Sequence, residues 1–229
     1  MKNRALIVAA GSSERFGGDV PKQYREVAGR PLLAWTISRF EAARLIDEIV
    51  LVVAEDYLLF VSERVVDPFG FRKVTKIVPG GDTRQESVRL GLERMPISTA
   101  LVAIHDGARP LVTPADIDRV IEVAATDRAA LLVQSVTDTV KRVEQGFVLA
   151  TLDRKVLCQA QTPQVFQYDL IRKAHEDARE SGESATDDTA LIERRGFKVR
   201  AVESSSINLK VTTPEDLLIA RAFIEGEPG

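Results

Sequence analysis

Three short segments carry the residue types that could do chemistry on a phosphorylated ligand. The first is Ala9-Ala10-Gly11-Ser12-Ser13-Glu14-Arg15-Phe16-Gly17-Gly18-Asp19-Val20-Pro21-Lys22, which follows a buried-looking strand. Small residues at 9 to 11 let backbone N–H groups approach a ligand closely, and such a loop can cradle phosphate oxygens. Arg15 and Lys22 add two cations, which would counter charge that grows during phosphoryl or nucleotidyl transfer. The segment is not a Walker loop, because no Gly-Lys-Ser/Thr follows. Nor is it a dinucleotide fingerprint, because Gly11, Gly17 and Gly18 have the wrong spacing. The competing reading is a solvated turn; Arg15 and Pro21-Lys22 beside the small residues favour a phosphate site.

The second segment, Pro79-Gly80-Gly81-Asp82-Thr83-Arg84-Gln85-Glu86-Ser87, also follows a strand. Its glycines permit close approach or positive φ. Asp82 with Gln85 reads as a capping box for the next helix, and a helix N-terminus is also a place for polar ligand atoms. The third, His105-Asp106-Gly107-Ala108-Arg109-Pro110, ends another strand. Asp106 could sit beside a metal–phosphate group and Arg109 could hold a phosphate through its planar fork. The alternative is an Asp–Arg pair that stiffens the loop. His105 reads as a packed histidine rather than a base. Asp138-Thr139-Val140-Lys141, Arg154, Thr162-Pro163-Gln164, Thr186-Asp187-Asp188 and Asn208-Leu209-Lys210-Val211 read, by themselves, as polar surface.

The elements that must position these residues alternate. Strand-like runs are Leu6–Ala9, Ile49–Val53, Val74–Val78, Leu101–His105, Ala130–Val136 and Val199–Val202, and several are apolar almost throughout, as strands covered on both faces are. Between them Leu33, Ile37 and Phe40 share a helical face, as do Val88, Leu92 and Met95, then Ile117, Ile121 and Ala124. Thr113-Pro114-Ala115-Asp116 and Thr213-Pro214-Glu215-Asp216 each place Thr at N-cap, Pro at N1 and a carboxylate at N3. This predicts one α/β domain over residues 1–229, a mostly parallel sheet with helices on both faces. Ligands in such sheets sit beyond the carboxyl ends of the strands, which points to the segments after Ala9, Val78 and His105. Residues 137–158 break the alternation. Val140, Val143, Phe147 and Leu149 alternate with polar residues around Gln145-Gly146, which predicts a projecting β-hairpin arm. A hairpin alone is marginal in water, so the arm is expected to meet a second subunit.

Composition removes several classes. The 31 basic and 34 acidic residues leave no basic surplus, which argues against a nucleic-acid binder. Cys158 is the only cysteine, so no internal disulfide forms, which fits a reducing compartment. His105 and His175 have no zinc-ligand spacing. No apolar stretch has signal-peptide or membrane-spanning character; a cytoplasmic location is the expectation.

In this order, Ala-Ala-Gly…Arg…Pro-Lys-Gln-Tyr, Gly-Gly-Asp…Arg…Ser-Val, His-Asp-x-Ala-Arg-Pro, Asp-Thr-Val-Lys, Thr-Pro-Gln and Lys-Val-Thr-x-Pro-Glu-Asp resemble the 2-C-methyl-D-erythritol 4-phosphate cytidylyltransferases of the non-mevalonate isoprenoid pathway. The resemblance runs from Ala5 to the helix after Pro214. It implies transfer of CMP from CTP to 2-C-methyl-D-erythritol 4-phosphate, with release of pyrophosphate. It implies Ala9, Ala10 and Gly11 as the backbone cradle of CTP, and Arg15 and Lys22 as stabilisers of the pentacovalent phosphorus. Gly80, Gly81, Asp82 and Ser87 match the cytosine and ribose pocket. Asp106 matches an acidic residue near, or indirectly on, the magnesium–triphosphate, with Gly107 and Ala108 on the same edge. Lys210 matches a residue that touches the transferring phosphate. Arg109, Thr139, Arg154, Thr162 and Thr186 match the acceptor pocket. The resemblance implies a Rossmann-like sheet with an arm that dimerises the chain, and in this family Arg154 and Thr139 reach the partner subunit's site. The chain departs from the family at Ser13 and at Gly107, where Gly and Ala respectively are common. Three other readings stand beside this one. A ribitol 5-phosphate cytidylyltransferase would share the CTP residues; a guanylyl- or thymidylyltransferase would have a related fold; a non-catalytic CTP-binding protein would not need both Lys22 and Lys210.

Overall fold

The computed structural model describes residues 1–11, 16 and 20–226. In chain order its elements are β1 (Lys2–Ala9), β2 (Glu26–Val27), β3 (Arg30–Pro31), α1 (Leu32–Ala42), β4 (Glu48–Val53), α2 (Leu58–Val61), β5 (Val74–Pro79), α3 (Arg84–Glu93), β6 (Thr99–Asp106), α4 (Pro114–Asp127), β7 (Ala129–Ser135), β8 (Lys141–Glu144), β9 (Phe147–Thr151), β10 (Cys158–Gln167), α5 (Tyr168–Ser181), α6 (Asp188–Arg194), β11 (Arg200–Glu203) and α7 (Pro214–Glu225). A seven-stranded sheet runs in the order β11-β7-β10-β6-β1-β4-β5. Only β10 is antiparallel to its neighbours. The predicted mostly parallel, doubly covered sheet is therefore present.

The alternation of side chains along a strand divides the core. Ala5, Ile7 and Ala9 of β1 face α1 and α4, where Leu33, Ile37, Phe40, Ile117 and Ile121 are buried. Leu6 faces the opposite way, onto Val88 and Leu92 of α3, Ile171 of α5 and Leu191 of α6. Each Val, Leu, Ile or Phe side chain among these, removed from water, contributes roughly 1.5–3 kcal/mol. A smaller cluster of Val27, Leu32, Leu111, Val211, Ala220 and Ile224 seats α7 against the first half of the chain. Both Thr-Pro helix starts cap as expected. Thr113 accepts from the Asp116 amide and Thr213 forms a reciprocal box with Asp216.

Chain order places β4 and β5 on one side of β1 and β6 on the other. The carboxyl ends of β1 and β6 thus open onto the crevice where ligands bind in such sheets. The arm is a separate two-stranded sheet of β8 and β9. Its turn residues, Gln145 at φ 49° and Gly146 at φ 84°, are both left-handed, as a two-residue type I′ hairpin requires.

Two expectations are corrected. Thr162-Pro163-Gln164 is not surface but the buried middle of β10, with Thr162 and Gln164 inaccessible. Its polar side chains tolerate burial because each is hydrogen-bonded: Gln164 Nε2 donates to Asp187 and its Oε1 accepts the Asp188 and Thr189 amides. Asn208 and Asp188, also read as surface, are buried. Among the described residues no helix is long and apolar enough to cross a membrane.

Candidate active site

Residues 21–24, beyond the end of β1, build one wall of the crevice. Pro21 starts a single 3₁₀ turn, Lys22–Tyr24. The Gln23 carboxamide donates to the Ala9 carbonyl at 2.9 Å and the Gly11 carbonyl at 3.1 Å, tying the turn to the end of β1. The Tyr24 ring stacks on Tyr57 at 4.6 Å and meets Phe60 edge-on at 5.3 Å. Lys22 is thereby held over the crevice.

The opposite wall comes from β5 and α3. The α3 cap is Thr83, whose hydroxyl accepts the Glu86 amide at 3.0 Å, and not the Asp82–Gln85 box. The helix begins at Arg84, so Thr83, extended at φ −123° and ψ 161°, and not Asp82 occupies the cap position. Asp82 lines the crevice instead. The Ser87 hydroxyl accepts from the Gly81 amide at 3.1 Å and faces the Gly81 carbonyl at 3.2 Å, fixing that loop. A Cβ on Gly80 would collide with Ala10 and stand 2.8 Å from Ser87 Oγ, so only glycine lets the two walls meet at their base.

The floor is Asp106, at the end of β6. Its Oδ1 accepts from Arg84 Nε at 2.9 Å, its Oδ2 lies 2.7 Å from Lys210 Nζ, and Arg109 Nε stands 3.7 Å away. Burial would raise this carboxyl, but Arg84, Lys210 and Arg109 outweigh it and hold the group far below the usual carboxylate range. Arg84 also reaches buried Asp188 at 2.9 Å, bridging β6 to α6. His105, wholly buried against Phe40, has Nε2 on the Arg109 carbonyl and Nδ1 on the Thr162 hydroxyl. Burial pulls its pKa down to about 3, so it is a neutral structural histidine at physiological pH.

These walls enclose a cleft of about 720 Å³ lined by Ala9, Ala10, Gly11, Lys22, Gly81, Asp82, Ser87, Asp106, Ala108 and Lys210. Lys22 and Lys210, from opposite ends of the chain, face the same space. Gly80 and Gly107 lie behind the lining. At Gly107 a Cβ would stand 2.9 Å from Ala9 Cβ and 3.2 Å from the Val8 carbonyl, so here the chain's glycine suits the close approach of β1 and β6. Arg109 and Thr162 are turned inward as supports. Arg109 Nη1 donates to the Asn208 carbonyl, and Thr162 Oγ1 accepts the Asp106 amide. Thr139, Arg154 and Thr186 are not part of this lining; Thr139 and Arg154 belong to the arm segment, where Arg154 donates to the Thr137 carbonyl. Arg15 lies outside the described residues.

Sequence reasoning assigns no role to Arg84, Gln23 and Thr212, which also line the cleft. The signal for Arg84 is its position one residue after a helix cap, beneath a strand end. Arg84→Met is expected to cost about 1–3 kcal/mol at neutral pH, because Lys210 and Arg109 stay beside Asp106 and His175 beside Asp188. Asp106 and Asp188 both have depressed pKa values, with Arg84 a cause in each. The stability they confer is present above the unfolded carboxylate value of about 3.9 and lost as pH falls below it. Without Arg84 the two carboxyls take up protons at higher pH, so acid unfolding followed by circular dichroism should begin at higher pH than in the parent protein. An unchanged acid transition would contradict the bridge.

The sequence profile of the 2-C-methyl-D-erythritol 4-phosphate cytidylyltransferases matches residues 4–226. The protein of that name from Desulforamulus reducens is 49% identical over 222 residues, covering 96% of this chain and 95% of the relative. Among solved structures, 4-diphosphocytidyl-2C-methyl-D-erythritol synthase from Anaerococcus prevotii superposes with a TM-score of 0.86 at 29% identity, over 98% of this chain and 96% of that one. The 2-C-methyl-D-erythritol 4-phosphate cytidylyltransferase from Thermus thermophilus does so with a TM-score of 0.80 at 34% identity, over 98% and 100%. Sheet order, a cleft at the strand ends and similarity along almost the whole length agree: the chain belongs to the 2-C-methyl-D-erythritol 4-phosphate cytidylyltransferase family.

Proposed function

We propose that this protein transfers the CMP group of CTP to 2-C-methyl-D-erythritol 4-phosphate. A phosphate oxygen of the acceptor forms a bond to the α-phosphorus, the bond from that phosphorus to the β-bridging oxygen breaks, and pyrophosphate leaves. The observation that carries this reading is the meeting of Lys22 and Lys210 in one cleft at the ends of β1 and β6. Lys22, with Arg15, offsets charge on the triphosphate as the five-coordinate phosphorus forms. The small residues Ala9, Ala10 and Gly11 let the triphosphate approach the backbone. Gly81, Asp82 and Ser87 form the cytosine and ribose side. Lys210 orients the acceptor phosphate. No protein base is required, since a phosphate monoester is largely a dianion near neutral pH, and neutral, enclosed His105 is not one. The protein contributes positioning and charge.

Magnesium enters the proposal through the chemistry of the donor set. Among the described residues no group of three or more His, Cys, Asp or Glu side chains could cage a metal. Asp82 and Asp106 line the cleft, and both Asp106 oxygens already face cations. Such a site suits an ion carried on substrate phosphates with its own waters, with Asp106 close by; the ion would supply charge neutralisation on the leaving pyrophosphate.

The arm leaves Val143, Phe147, Val148, Leu149 and Val156 exposed, Phe147 at 75%. Covering that surface with a second copy supports a homodimer in which Arg154 and Thr139 serve the partner's cleft.

Phosphorus NMR with CTP, magnesium and each acceptor tests the activity. Pyrophosphate and a new diphosphate signal are expected with 2-C-methyl-D-erythritol 4-phosphate. Turnover with ribitol 5-phosphate alone, or equal turnover with the four nucleoside triphosphates, would overturn the assignment.

A further inference from the structure

We infer that Asn208 is a positioning residue that sets where the Lys210 amine stands; the inference rests on the nucleotidyl-transfer reading of the cleft. Lys210 lies in a loop, without regular structure, between β11 and α7, and a lysine side chain on such a loop has no intrinsic reason to hold one place. The loop is fastened on both sides of it. Ahead of Lys210, the fully buried Asn208 carboxamide donates to Gln161 Oε1 at 3.0 Å and to the Thr162 carbonyl at 2.8 Å. The Asn208 carbonyl accepts from Arg109 at 2.7 Å. Behind Lys210, the Val211 amide donates to the Ala108 carbonyl at 2.8 Å.

Thr162 ties the two halves together. Its hydroxyl accepts the Asp106 amide while its carbonyl accepts Asn208. One residue of β10 therefore sets the spacing between the carboxylate on the floor and the loop that carries the amine, and the amine closes the circuit at 2.7 Å from Asp106. The Asn208 Oδ1 atom is buried without a hydrogen-bond partner. An unpaired buried carbonyl opposes stability, so this side chain is a poor choice for packing and a good one for register: its amide reaches two acceptors on a neighbouring strand at once.

Positioning of this kind is separable from folding by a mutant cycle. Asn208→Leu should lower kcat for pyrophosphate release about 10- to 100-fold, with KM for CTP moving less than about threefold, because a misplacement of about 1 Å can cost on the order of 10²-fold. Lys210→Ala should be slow, and the double variant should be no slower than Lys210→Ala within about twofold, since a residue acting only through Lys210 has nothing left to position. If the two losses multiply in the double variant, or if Asn208→Leu turns over like the parent, the inference is overturned. Should Asn208→Leu fail to fold by circular dichroism, Gln161→Met, which removes one of the two acceptors of the Asn208 amide, is judged by the same cycle. A parent protein that releases no pyrophosphate would overturn both the inference and the function it rests on, whereas multiplying losses overturn the inference alone.

Discussion

Lys22→Ala is expected to lower kcat by about 10²- to 10³-fold while the protein stays folded. The turn that carries Lys22 is held by its neighbours: Gln23 is bonded to the Ala9 and Gly11 carbonyls, and Tyr24 is stacked against Tyr57. Removing the Lys22 side chain beyond Cβ touches none of these ties, so the turn should keep its place and the variant should still melt as a folded protein. The kinetic loss follows from the proposed mechanism. Charge on the non-bridging oxygens grows as the acceptor oxygen and the leaving oxygen both attach to the α-phosphorus. A cation fixed at the cleft wall meets that charge without reorganising. In the proposed function ground-state CTP would also be held by backbone and by the Gly81–Ser87 side, so KM should change less than kcat. Steady-state pyrophosphate release, with a melting curve on the same preparation, checks the result. Near-parental turnover would remove Lys22 from the mechanism.

The parts of this site that were legible in the sequence are those whose physics is local. Leu6–Ala9 and Leu101–His105 are apolar runs ending in small or polar residues, and that pattern alone locates two strand ends and the crevice between them. Thr113-Pro114 and Thr213-Pro214 carry their caps within four residues. Gln145-Gly146 is enough to place the arm's turn. What was not legible depends on partners far along the chain. The β10 strand presents Gln161, Thr162 and Gln164 to the interior, and nothing near them says that Gln134, Asp106, Asp187 and Asn208 will accept or supply their hydrogen bonds. Arg84 reads as one charge at a helix start until Asp106 and Asp188 converge on it. Arg109 reads as a phosphate ligand because its fork fits one, yet the same fork donates to a backbone carbonyl of the Lys210 loop. Asp82 reads as the cap of α3, but the helix begins at Arg84 and the residue ahead of it, Thr83, takes that place.

Mixing two slow variants should restore activity. Lys22 lines the cleft of its own chain, whereas Arg154 sits on the arm segment, bonded to the Thr137 carbonyl and absent from that cleft's lining. If the exposed apolar side chains of the arm are covered by a second copy, each cleft takes Lys22 from one subunit and Arg154 from the other. Lys22→Ala and Arg154→Ala should then each be slow alone, Arg154→Ala chiefly through weaker use of the acceptor. After mixing and subunit exchange, half of the dimers are mixed. In those, one cleft lacks both groups and the other has both, so activity should rise to about one quarter of the parent value. The rise should follow the time course of exchange, measured by mass spectrometry with one variant isotopically labelled. A mixture no faster than the average of its components would place Arg154 in the cleft of its own chain or outside the reaction. A homodimer without recovery would separate the two halves of the proposal, because the arm would then join the subunits without supplying a residue to the partner's chemistry.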